Sequence, residues 1–195
     1  MRVLLLAAGF ATLLAAQVVD RVAVVVGSNV ITESELLREV RLTEFLNGEP
    51  LDVSPEKKRA AAERLVDQQL IRTEMELSRY PQPGTEDENK VLAGFRKEHY
   101  PDDRQFSEAI GKYGISEDEL KHLLAWQATA MQFTETRFRG IPPTGNVHTA
   151  NRLRNDSEPA QASDSTDQQI DQQMEAWLKE ARSSTRIQFK KEALQ

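Results

Sequence analysis

The chain has 195 residues, 39% of them hydrophobic, enough for one modest core and one folding unit. A formal net charge of −6 argues against nucleic acid as a partner, because phosphate binding is driven by clustered Lys and Arg. The absence of cysteine excludes disulfides, thiolate metal sites, cysteine nucleophiles and lipid attachment through an N-terminal cysteine.

Residues 1–17 have the order of a cleavable secretory signal: Arg2, an apolar run from Val3 to Leu14, then Ala15, Ala16 and Gln17. Gln17, Asp20 and Arg21 interrupt the run before it reaches the roughly 18 apolar residues of a membrane span. The expectation is export to the periplasm, with no stable membrane insertion after cleavage.

Residues 18–26 are rich in valine and lead through Gly27, Ser28 and Asn29 to Val30 and Ile31, which predicts a strand, a tight turn and a return strand. Thr32 and Glu35 then form a capping box, with Ile31 placed to staple onto Leu36, and Leu36, Leu37 and Val40 facing the core. After the break at Asn47-Gly48-Glu49-Pro50, Ser54 as N-cap and Pro55 in the first turn open a second helix reaching about Ser78. Its Leu65, Val66, Leu70, Ile71, Met75 and Leu77 cover more than one stripe, as a central helix with neighbours on two sides requires.

Thr85 and Glu88 predict another capping box, opening a short helix with Val91, Leu92 and Phe95. A fourth helix near Arg104 to Tyr113 carries Phe106, Ala109 and Ile110 and stops at Gly114. Ile115, Ser116, Glu119 and Leu120 repeat the staple and box ahead of a long fifth helix, from Glu117 to about Arg139.

Residues 141–167 are dominated by Pro, Gly, Ser, Thr, Asn and charge, and read as a flexible polar linker. From Gln168 the spacing of Ile170, Met174, Trp177, Leu178 and Ala181 predicts a helix, and the alternation of Thr185, Ile187 and Phe189 a strand. That strand is too short to stand alone and the hairpin is thin, so residues 168–195 are expected to pack back on residues 18–140. The fold class is mainly α, with a small N-terminal β-hairpin completed by a C-terminal helix and strand.

The run Val18-Val19-Asp20-Arg21-Val22-Ala23-Val24-Val25-Val26 followed by Val30-Ile31-Thr32-Glu33-Ser34-Glu35-Leu36 resembles the opening of the SurA-type periplasmic chaperones. Arg64-Leu65-Val66-Asp67-Gln68-Gln69-Leu70-Ile71 is similar too, and the likeness extends through the fifth helix and from Trp177 to Phe189. The resemblance implies an ATP-independent holdase that escorts unfolded outer-membrane proteins, in a family that usually carries inserted parvulin-type prolyl isomerase domains. Residues 141–167 are too few for such a domain, so the resemblance is to the chaperone core without its isomerase.

No catalytic, metal or cofactor site is expected. His99, His122 and His148 lack a second ligand at helical spacing, phosphate-loop and nucleophile-elbow motifs are missing, and Glu117, Asp118 and Glu119 offset a helix dipole. Trp126, Met131, Phe133 and Phe138 are the candidate client-binding residues, because Met and broad aromatic faces suit surfaces that accept many apolar partners; the other reading of the set is that most of them belong to the core. Two other functions remain open: a peptidyl-prolyl isomerase with a degenerate site, and an adaptor docking one folded envelope protein.

Overall fold

A computed structural model describes residues 20–139 and 160–195. The expected signal at 1–17 and the expected linker up to residue 159 lie outside the described residues. In chain order the elements are β1 (Val22–Val26), β2 (Asn29–Thr32), α1 (Glu33–Asn47), α2 (Pro55–Leu77), α3 (Thr85–His99) and α4 (Asp103–Tyr113). They continue with α5 (Glu117–Arg139), α6 (Ala160–Ser184), β3 (Ile187–Phe189) and a 3₁₀ turn at Lys191–Ala193. The fold is mainly helical, with one small antiparallel sheet in the order β2-β1-β3.

The hairpin turns through Gly27, whose φ of 60° a side chain would disfavour. β3 lies on the other side of β1, with Val24 opposite Phe189, Val25 opposite Gln188 and Val26 opposite Ile187. Two bonds frame this pairing, Gly27 N–H to the Arg186 carbonyl at 2.9 Å and Lys190 N–H to the Ala23 carbonyl at 2.8 Å. Residues 23, 25 and 27 therefore turn their backbone groups toward β3, which fixes the parity of the β1–β2 pairing from Val24 to Val26, beyond the register shift between Val22 and Val24. The expected closure of the C-terminal strand onto the hairpin is what the fold shows.

Helix starts follow the side chains that satisfy their free N–H groups. Thr32 Oγ1 accepts from Glu35 N–H while Glu35 Oε2 accepts from Thr32 N–H at 2.8 Å, and Ser116 and Glu119 form the same reciprocal pair ahead of α5. Ser54 caps α2 with Pro55 in its first turn, and Gly114, at φ 62°, ends α4. The box expected at Thr85 and Glu88 is absent. Gly84 is the N-cap of α3, without a side-chain cap, and its carbonyl takes Asp87 and Glu88 N–H. Helix α6 already includes residues 160–167, ahead of the expected start at Gln168, because lengthening a helix anchored by its packed face costs little per residue even in a polar stretch.

Two apolar clusters meet along α2. The first joins the sheet (Ala23, Val24, Val26, Ile31) to Leu36 and Val40 of α1 and to Ala61, Ala62, Val66 and Leu70 of α2, and includes Ala193 and Leu194. The second collects Phe45, Ile71, Met75, Leu92, Phe106, Tyr113, Leu120, Leu123, Trp126 and Phe133. Trp177 and Leu178 of α6 pack against both, so the C-terminal helix ties the two together. Leu77, expected in the core, is 76% exposed. It lies two residues, or about 200° of helix, from the fully buried Met75, and so on the opposite face.

Candidate functional site

Three helices and the outer strand enclose a half-open cleft of about 380 Å³. Each helix supplies four residues at the same i, i+3, i+4, i+7 spacing: Glu35, Arg38, Glu39 and Leu42 from α1; Leu65, Gln68, Gln69 and Arg72 from α2; Glu119, His122, Leu123 and Trp126 from α5. Val30 and Ile31 of β2 form the remaining wall. These stripes mix apolar, polar and charged residues.

The cleft's carboxylates already have partners. Glu39, buried among the helices, accepts from Arg64 Nε at 3.0 Å and from Thr43 Oγ1 at 3.3 Å. Glu119 accepts from Arg38 Nε at 2.8 Å and from Ser116 N–H, while Glu35 is held in its capping box. Burial raises the Glu119 carboxyl, yet the Ser116 backbone and hydroxyl donors and Arg38 outweigh it and hold the group below the usual carboxylate range.

Arg72 is different. Its guanidinium carbon lies 3.8 Å over the Trp126 ring, and among the described residues no carboxylate forms an ion pair with it. Burial against the ring pulls its pKa below the ordinary arginine value, with Glu76 and Glu35 opposing from a distance. The residue as a whole is nevertheless exposed, so a ligand can reach its donors.

Beside Arg72 runs the open edge of the sheet. Because Val25 turns its backbone groups toward β3, its partner Val30 turns its own N–H and carbonyl away from β1, where no further strand follows among the described residues. The Val30 side chain is 54% exposed.

The four expected client-binding residues do not share one surface. Trp126 and Phe133, seven positions apart and so on one helix face, are buried at 7% and 3% exposure in the second cluster. Met131, five positions from Trp126 and about 140° around the helix, is 63% exposed, and Phe138 is half-buried. Only Trp126 reaches the cleft, as its floor. Of the histidines, His99 is exposed against Phe95, His122 lines the cleft 3.4 Å from Glu88, and His148 lies outside the described residues. Among the described residues there is no grouping of side chains able to hold a metal, and no helix is long and apolar enough to cross a membrane.

No protein-family model matches the sequence, and no curated protein matches it.

Proposed function

We propose that the protein is an ATP-independent periplasmic chaperone that holds extended segments of unfolded polypeptides, outer-membrane protein precursors among them. The observation that carries this reading is the outer edge of β2, which pairs with no strand among the described residues, with Val30 presenting both backbone groups beside a cleft whose walls include Leu42, Leu65, Leu123 and Trp126. An extended chain can add its main chain to such an edge and place alternate side chains in the neighbouring cavity, so backbone pairing supplies affinity without sequence. The resemblance of residues 18–36 and 64–71 to SurA-type chaperones supports the same reading.

The energetics suit a holdase. Burying one large apolar side chain contributes about 1.5–3 kcal/mol, so a single cleft holds a chain weakly and releases it readily. The negative net charge keeps copies of the chaperone apart while they carry apolar cargo.

The test is light scattering of an outer-membrane β-barrel protein diluted from urea, with and without the chaperone. The expected result is slowed aggregation, weakened by Val30→Lys, a change at an exposed edge position that leaves the core untouched. Aggregation at an unchanged rate would sink the proposal.

A further inference from the structure

We infer that the Arg72–Trp126 end of the cleft is a pocket for the C-terminal carboxylate of an extended polypeptide whose last residue is apolar. This inference rests on the chain-binding reading above and names which part of the chain the cleft selects.

Glu35, Glu39 and Glu119 are each engaged by donors, and Arg38 pairs with Glu119, whereas Arg72 lies over the face of Trp126 and forms no ion pair among the described residues. A guanidinium offers five N–H donors in a fork that fits a carboxylate bidentately. Stacking fixes the plane of that fork and leaves its edge for a ligand, so little freedom is lost on binding. Burial against the ring lowers the stability of the unpaired cation, and an arriving anion relieves that cost.

The neighbouring walls say which carboxylate fits. Leu65, Leu123 and the Trp126 ring line the same cavity as Arg72. An Asp or Glu side chain brings charge without an apolar group on the same residue, whereas the last residue of a chain carries a carboxylate and an apolar side chain on one Cα. Val30, with its outward N–H and carbonyl, lines the same cleft and can pair with the main chain leading to that residue.

The test uses the full chain and fluorescence anisotropy of a short labelled peptide of alternating Val and Thr ending in Phe. It is offered with a free carboxylate, as the amide, and as an amide with Glu before the Phe. The expected result is about tenfold weaker binding of both amides, with Arg72→Gln bringing the acid down to the level of the amide and leaving the amide unchanged. Circular dichroism and the urea midpoint of Arg72→Gln, a substitution at an exposed position, check that the fold is kept.

Equal binding of acid and amide, or equal binding of the Glu-containing amide and the acid, would overturn the pocket. Peptides that fail to bind while the unfolded β-barrel protein still does would overturn it too and leave the chaperone reading standing. Failure of peptides and unfolded protein alike would remove both.

Discussion

Along α5, two side chains of similar apolar character do opposite things. Phe133 packs edge-on against Tyr80, ring centroids 5.2 Å apart, and is buried; Met131 points to solvent. Phe133→Ala is expected to cost about 3–5 kcal/mol, because it leaves a cavity in the second cluster, while Met131→Ser is expected to stay within about 0.5 kcal/mol. Urea denaturation of both variants checks this, and similar losses would mean that Met131 is packed after all. Glu119 carries a pH prediction. Its folded-state pKa is lowered, so the stability it contributes is present above its unfolded value of about 4.3 and is lost as pH falls through the folded value. Asp20, held down chiefly by the Thr32 hydroxyl, and Asp118, held down chiefly by Lys121, act in the same direction. The urea midpoint should therefore hold from neutral pH to about 4.3 and decline below it. Glu119→Gln should lower the neutral midpoint and shrink that decline.

At the scale of elements, the residues that stop and start helices were legible because their chemistry is local. Thr32, Ser54, Ser116 and Gly114 act on backbone groups within three residues, and each stands where the sequence places it. Gly84 was not legible, since a glycine cap leaves no side-chain signature and Thr85 looked the better candidate. The candidate site was legible only in part. Trp126 stood out, but Arg72 and Gln68 did not, because the mixed i, i+3, i+4, i+7 stripes that close the cleft carry no apolar periodicity. Those stripes become a site only when tertiary packing brings α1, α2 and α5 together. One contact between elements is open to direct test. Arg182 of α6 donates to Glu63 Oε2 at 2.5 Å and to Asp67 Oδ1 at 2.6 Å on α2, and also to the Glu63 carbonyl at 3.1 Å. The three partners are partly exposed, so screening reduces what this clamp contributes to about 1 kcal/mol. Arg182→Ala should lower the urea midpoint accordingly and speed amide exchange along β3, whereas unchanged exchange there would mean that α6 is held by its apolar face alone.

The molecule as a whole depends on its last residues. β3 converts a two-stranded hairpin into a three-stranded sheet, Trp177 and Leu178 cover both apolar clusters, and Ala193 and Leu194 are buried against Ala23, Val24 and Val26. A hairpin alone is marginal in water, and without residues 160–195 the outer edge of β1 would be open and part of the first cluster bared. A chain stopping at Arg139 is expected to lose cooperative thermal unfolding and to bind apolar dyes, since the remaining helices cannot cover the sheet. Adding a peptide of residues 160–195 in trans should restore the transition, because α6 and β3 dock through packing and backbone pairing that need no covalent link. Its midpoint should then rise with peptide concentration, as mass action requires when binding is coupled to folding. A cooperative transition in the shortened chain without the peptide would instead show that α1 to α5 form a self-sufficient core, with the C-terminal segment an attachment to it.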